Sequence, residues 1–338
     1  VRKAIGLLLV WGQAAGAAET MRIAIGPEVK LARVVGDTLA RGADEEEGVF
    51  WALPARDATV TRQGGVLMLD GIPVTSGAVR FRNGGAIDVN GTRVRGDVVA
   101  LLGRDGVQLV NVLALEDYLA GVLGSEMPRS FPLEALKAQA IAARTYALHK
   151  KLEQYGQPFH LGSSVISQVY GGLSSEDART REAVDATRGM VLTYELQPVE
   201  AYFHASCGGK TENGLEALGR DLPYLKPVAC PCARLPQAEW KLELDRPVQV
   251  LARSATGRAT RVQFDGRVLD AVSFRERIGY SKLKSLWFEV KGTTLTGHGF
   301  GHGAGMCQWG AKVLAEQGLT FRQILAHYYV GTELQTLY

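Results

Sequence analysis

Ser125-Glu126-Met127-Pro128-Arg129-Ser130-Phe131-Pro132-Leu133-Glu134-Ala135-Leu136-Lys137-Ala138-Gln139-Ala140 is the stretch from which the organisation of the chain is read. Two prolines make a short stiff connection, since each fixes its own φ and restricts the residue before it. Helix formers follow and run to about Gln154, before Gly156 ends them. Ser130 is placed to cap this helix, Pro132 fits its first turn, and Glu134 suits the positive end of its dipole. Leu133, Leu136, Ala140, Ala143 and Ala147 form one stripe at helical spacing, and its small side chains predict close packing against neighbouring elements. Glu126 stands just ahead of the stiff link and of the helix's positive end, so its carboxylate is expected to be held in place. Lys137 and Arg144 lie within about 20° of eclipsed and share a face two turns apart.

Working outward toward the N-terminus, LALEDYLAGVLGSEMP from Leu113 reads as a short amphipathic helix stopped by Gly124 and Pro128. Before it, from Met21 to about Val110, short apolar runs alternate with Gly, Asp and Asn. The dipeptides Asp70-Gly71, Asn90-Gly91 and Asp105-Gly106 between alternating strands are hairpin signals. The acidic run Asp44-Glu45-Glu46-Glu47 reads as a solvated loop. Beyond the long helix, from Leu161 to Tyr338, short β segments return (MVLTY, EAYFHAS, RVQFDG, LWFEVKG). Helical stretches at 175–187, 311–317 and 321–328 are interspersed with them. The predicted class is α+β: a mainly β N-terminal part over 21–110 and a mixed C-terminal part over 111–338 built around one long Ala-rich helix.

Of the 338 residues, 46% are hydrophobic and 22% charged, which excludes wholesale disorder, and 40 glycines point to loops with work to do. Arg2 and Lys3 precede an apolar run from Ala4 to Trp11, and small residues end at Ala18; residues 1–18 therefore read as a secretory signal peptide. The competing readings are a buried first strand or a short anchor, but the run is too short to span a bilayer. Loss of Arg2 and Lys3 leaves 36 basic against 35 acidic residues, taking the formal charge from +3 to +1. A near-neutral body argues against a nucleic-acid binder, and no stable membrane span is expected after cleavage. Export would permit a disulfide between Cys207 and Cys230 or Cys232. His204, Cys207, Cys230 and Cys232 also suit a four-ligand zinc site, and free thiols are the third alternative.

The segment SEMPRSFPLEALKAQAIAARTYAL closely resembles the hallmark of the stage II sporulation protein D family (SpoIID/LytB domain). Three further stretches match in order: SQVYGG at Ser167–Gly172, AYFHASCGGKTE at Ala201–Glu212 and GHGFGHGAGMCQWGA at Gly297–Ala311. The resemblance runs from about Val110 to Tyr338, and before it only VRG at Val94–Gly96 and the approach VNVLALEDYL echo the family. It implies a lytic transglycosylase, a lyase cutting peptidoglycan glycan strands stripped of stem peptides, in the periplasm or cell envelope. It also implies Glu126 as the catalytic acid/base, Lys137 and Arg144 as matching helix residues, and no cofactor. Some relatives instead stimulate a cell-wall N-acetylmuramoyl-L-alanine amidase without catalysis, which makes such an amidase a second expected partner. Zinc held by Cys and His just before the QVY motif in some relatives is not expected, because Gly162 to Ser167 supply neither residue.

One carboxyl group suits that chemistry. A glycosidase needs two, whereas in a lytic transglycosylase the sugar's own C6 hydroxyl attacks C1 and one residue serves as acid and then base. Glu126 must then start protonated, which requires burial or apolar neighbours such as Met127 and Phe131. Lys137 and Arg144 would oppose this, so they are assigned to the lactyl carboxylate of muramic acid. In the Gly297–Gly310 stretch, alternating glycines make a loop, so His298 and His302 do not form a helical metal pair. That loop reads either as backbone that sugar rings approach, with His302 and Gln308 supplying hydrogen bonds, or as a tight structural turn. Gln168, Tyr170, Tyr202, Ser206 and Tyr224 are weaker candidates for a sugar groove. No G-x-S-x-G elbow supports a serine hydrolase.

Overall fold

Alternation of apolar and polar residues folds the segment 20–114 into strands, arranged in two sheets, and no helix interrupts them among the described residues. The computed structural model describes residues 19–45, 48–53, 55–162, 168–235 and 239–338. One sheet runs, in spatial order, 161–162, 20–24, 107–114, 97–102, 78–82, 40–42, 50–52; the other runs 92–94, 87–89, 31–35, 57–63, 66–69, 72–74. Met21, Ile23, Val98, Ala100 and Leu109 of the first pack against Ala32, Val34, Val60 and Leu67 of the second in one core. Val99, Val110 and Val112 point to the opposite face, with Phe159 against them.

All three turn dipeptides lie between antiparallel-paired strands, as read. Asp70-Gly71 and Asn90-Gly91 both take positive φ at each residue, as a two-residue hairpin loop requires. Asp105-Gly106 lies in a longer loop closed by Gly103 N–H to Gly106 O. There Gly106 makes room for backbone, since a Cβ on it would stand 2.5 Å from Val29 O.

The strand Val107–Ala114 leads directly into the helices: α1 (Leu115–Glu126), α2 (Leu133–Glu153), α3 (Ala178–Asp185), α4 (Gly214–Leu218), α5 (Ala271–Ile278), α6 (Gln308–Glu316) and α7 (Phe321–Tyr328). Helix α2 is buried nearly all round from Ala135 to Leu148, and α1, α3, α6 and α7 pack on it. Its alanines permit that crowding.

Several boundaries differ from the sequence reading. Helix α1 continues through Gly124 to Glu126. The glycine is a contact point and not a stop, since a Cβ there would lie 1.8 Å from Ser175 O. Helix α2 has Pro132 at its N-cap with no side-chain cap, so Ser130 is not the capping residue. The stretch 175–187 divides into a 3-10 turn at Gly172–Ser175 and α3, which Asp177 caps with a reciprocal bond to Thr180. Helix α6 starts at Gln308, three residues earlier than read, because the Cys307 side chain accepts from Gly310 N–H and caps it.

Residues 239–298 carry a separate hydrophobic cluster of Trp240, Val262, Phe274, Leu283, Phe288 and Leu295, built from two three-stranded sheets and α5. The sequence reading of 111–338 as one mixed unit gave no sign of it. Among the described residues no helix is long and apolar enough to cross a membrane. The leader reading (1–18) falls outside the described residues, as do residues 163–167 ahead of the QVY motif.

Candidate active site

A cavity of about 780 Å³ is lined by three groups of side chains. Glu126, Tyr146 and Gln308 come from α1, α2 and α6, and Val169 from the irregular segment beside them. Tyr202, Phe203, His204 and His302 come from the paired segments 203–204 and 306–307 and the loop between them. Asp270, Val272, Arg275, Tyr280 and Phe300 come from the 239–298 lobe and its exit. That volume suits a ligand of several rings.

Glu126 is the last residue of α1, so the helix end nearest its carboxylate is the negative one. The half-buried carboxyl accepts a hydrogen bond from Val169 N–H at 2.8 Å. Burial pushes its pKa above the ordinary range, while that backbone bond and one from the Gln308 side chain pull the other way. Gln308 also donates through Nε2 to Gln139 Oε1 at 3.4 Å. Glu126 is thus a carboxyl oriented by two partners and biased toward its neutral form.

The two histidines are fixed by backbone. Ala304 N–H donates to His302 Nδ1 at 3.1 Å, so His302 Nε2 carries the proton it gives to Phe203 O at 2.9 Å. Both ring nitrogens are therefore occupied, and burial lowers the pKa to about 4. His302 contributes a neutral ring face to the wall, and not the hydrogen bonds expected of it. His204 donates from Nδ1 to Ala304 O at 3.0 Å, which leaves Nε2 a buried acceptor without a partner among the described residues. Tyr202 lines the cavity with its ring edge-on to Tyr146 and His302, and its hydroxyl donates to Glu200 Oε2 at 2.9 Å.

Other expected site residues lie elsewhere. Arg144 is fully buried and forked onto Glu116, with further bonds to Val184 O and Met190 O; it has no face toward the cavity. Lys137 pairs with Glu134 at 2.8 Å and stands over the Phe321 ring. Gln168 is buried between Tyr118 OH and Ala143 O, and Tyr170 donates to Asn111 Oδ1. The Tyr224 hydroxyl accepts from Glu200 N–H, and the Ser206 hydroxyl points at Cys232 Sγ. These six groups already have protein partners, and none lines the cavity. The glycine-rich loop is chiefly a packing device. A Cβ on Gly301 would lie 2.6 Å from His204 Cβ, and one on Gly305 would lie 2.0 Å from Tyr202 O.

Sequence reasoning missed Arg275. It bonds through Nε to Leu283 O and through Nη2 to Lys284 O, stacks 5.0 Å from the Tyr280 ring and lines the cavity. Among the described residues no carboxylate pairs with it, and burial lowers its pKa to about 10. The aromatic rings of Tyr280 and Phe300, both exposed, were missed with it. Nothing in FRERIGY (Phe274–Tyr280) distinguishes Arg275 from any other basic residue on an amphipathic helix. Asp270 also borders the cavity, but its carboxylate caps α5 by accepting from Ser273 N–H, and the Ser273 hydroxyl together with that N–H holds its pKa low.

The four cysteines converge: all four sulfurs lie within 4.8 Å of one another, and each cysteine is buried and free of disulfide. Cys307 takes the fourth place that the sequence reading gave to His204.

The model of the family described as "Stage II sporulation protein" matches residues 103–194. An uncharacterised protein of Brachyspira hyodysenteriae is 32% identical over 291 residues, 79% of each chain. Stage II sporulation protein D of Bacillus subtilis is 34% identical over 266 residues, 68% of this chain and 77% of that one. A Bacillus subtilis protein named amidase enhancer is 29% identical over 290 residues, 64% of this chain and 40% of that one. The chain belongs to the stage II sporulation protein D family.

Proposed function

We propose that the protein is a lytic transglycosylase of the cell envelope that cuts stem-peptide-stripped peptidoglycan strands, with Glu126 as its single acid/base. The observation that carries this reading is a carboxyl at the cavity wall, kept toward its neutral form by burial and aimed by Val169 and Gln308. Protonated Glu126 gives its proton to the glycosidic oxygen as the bond to C1 of N-acetylmuramic acid breaks. The C6 hydroxyl of the same sugar closes on C1, and the Glu126 carboxylate takes the hydroxyl proton. No water is consumed, and the products are a 1,6-anhydro end and a new hydroxyl on the leaving sugar. Tyr280 and Phe300 offer apolar faces to sugar rings, and Arg275 supplies the cation for the lactyl carboxylate, the role that Lys137 and Arg144 were expected to play.

Incubation with amidase-stripped strands tests this: 1,6-anhydro ends are expected from the wild type, with release about 10²–10⁴-fold slower from Glu126→Gln. Reducing ends in their place would mean hydrolysis and would bring Asp270 in as a second carboxylate. The identity to the protein named amidase enhancer supports a second reading, in which the cavity binds glycan and stimulates an amidase. Wild-type protein that binds stripped strands yet releases no fragment would favour it.

A further inference from the structure

We propose that Cys207, Cys230, Cys232 and Cys307 hold one tetrahedral zinc ion as a structural site beneath the cavity. The four sulfurs come from three separate parts of the chain: the loop after 203–204, the Cys230-Pro231-Cys232 turn, and the cap of α6. Their mutual distances stay within 4.8 Å, with Cys207 and Cys232 at 3.4 Å. A zinc–sulfur bond of about 2.3 Å sets a tetrahedron edge of roughly 3.8 Å, so one ion satisfies all four sulfurs at nearly these positions. A disulfide needs about 2.05 Å, and the sulfurs are not sorted into two such pairs.

The surroundings are built for thiolates. Cys307 Sγ accepts N–H bonds from Cys207 at 3.3 Å and Gly310 at 3.2 Å, the Ser206 hydroxyl reaches Cys232 Sγ, and the Tyr328 hydroxyl lies 3.2 Å from Cys230 Sγ. Donors of this kind offset the charge that four thiolates around a divalent ion would bury. Gly310 is required for the fit, since a Cβ there would stand 2.3 Å from Cys230 Sγ. Arg258 clamps the Cys207-Gly208-Gly209 turn from outside by donating to Cys207 O and Lys210 O. His204 stands outside this set: the four sulfurs group without it, and its ring lines the cavity, held there by Nδ1 donating to Ala304 O. The ion would fix the α6 cap, and through it the adjacent Gln308 that touches Glu126.

The full chain, purified without chelator or reductant, tests this by elemental analysis, thiol titration and cobalt replacement. Close to one zinc per chain is expected, with four thiols that react only as a mercurial releases the metal. The cobalt form should absorb with thiolate charge-transfer bands and a tetrahedral d–d envelope. Cys307→Ser should lose most of the metal, while His204→Asn keeps it. A metal-free wild type with four free thiols, a mass corresponding to two disulfides, or iron in place of zinc would overturn the proposal. So would metal loss in His204→Asn matching that in Cys307→Ser. The wild-type measurements stand whether or not a variant folds.

Discussion

Arg144 Nη2 lies 2.6 Å from Glu116 Oε2 and its Nε lies 2.9 Å from Glu116 Oε1, so a fully buried guanidinium on α2 is forked onto a carboxylate from the first turn of α1. The pair locks the two helices whose junction carries Glu126. Tyr338 donates to the same carboxylate at 2.7 Å, so the segment that follows the strand 333–336 is fastened there as well.

Removing either partner leaves a buried charge uncompensated. Arg144→Ala or Glu116→Ala is expected to destabilise the fold by about 3–5 kcal/mol in denaturant unfolding, with Lys137→Ala near neutral as control. The Glu116 pKa is lowered because the Arg144 and Tyr338 bonds outweigh desolvation. Its stabilisation is therefore present above the ordinary carboxylate range and lost as pH falls through the lowered folded value. A Glu116→Ala variant that loses stability at neutral pH but matches wild type in strong acid would agree. Equal loss at all pH values would contradict this account.

Glu126 has the opposite sign. Its raised pKa means that the folded protein favours the proton more than the unfolded chain does, so ionisation weakens the fold as pH rises through the folded value. Glu126→Gln should therefore be at least as stable as wild type at neutral pH while cleavage of stripped strands falls by about 10²–10⁴. Thermal unfolding and anhydro-end release, measured on one preparation, check both halves. A variant that is destabilised at neutral pH would remove the case for a neutral, poised acid.

Gln308 sets how far that poise goes. Its bond favours the anion, so Gln308→Leu is expected to move the alkaline limb of the cleavage profile to higher pH, with strand binding retained. A limb that stays in place, or moves down, would show that Gln308 does not act on the acid.

The succession of strands and helices was legible from local chemistry. Helix formers after Pro132, the positive-φ dipeptides at Asp70 and Asn90, and the helix at Phe321–Tyr328 each follow from residues within one or two turns. The place of Glu126 at the cavity wall could be expected only from the long motif around it. What failed was the environment of charged and polar side chains. Spacing on α2 places Lys137 and Arg144 on one stripe, but spacing cannot say which partner from α1 or which side of the helix meets them. Glu116 claims one, and Glu134 in the same helix claims the other. The lobe at 239–298 escaped for a related reason. Its short strands look like those on either side, and only the separate packing of Trp240, Phe274 and Phe288 sets it apart.

Arg275 is where that lobe would meet the substrate's charge. Its Nε and Nη2 are held by the carbonyls of Leu283 and Lys284, which orients the guanidinium without neutralising it. A charge-assisted bond of about 1.5–3 kcal/mol corresponds to roughly 10–100-fold in affinity, so Arg275→Gln is expected to raise KM for stripped strands by that factor while kcat changes little. The effect should shrink on strands whose lactyl carboxylates have been amidated, because both proteins then lack the pair. Added salt should raise the wild-type KM toward the variant's. Loss of kcat with KM unchanged would instead mean that the arginine holds the lobe in shape; Arg275→Lys, which keeps the charge but not the fork, would then fail equally on both strand types.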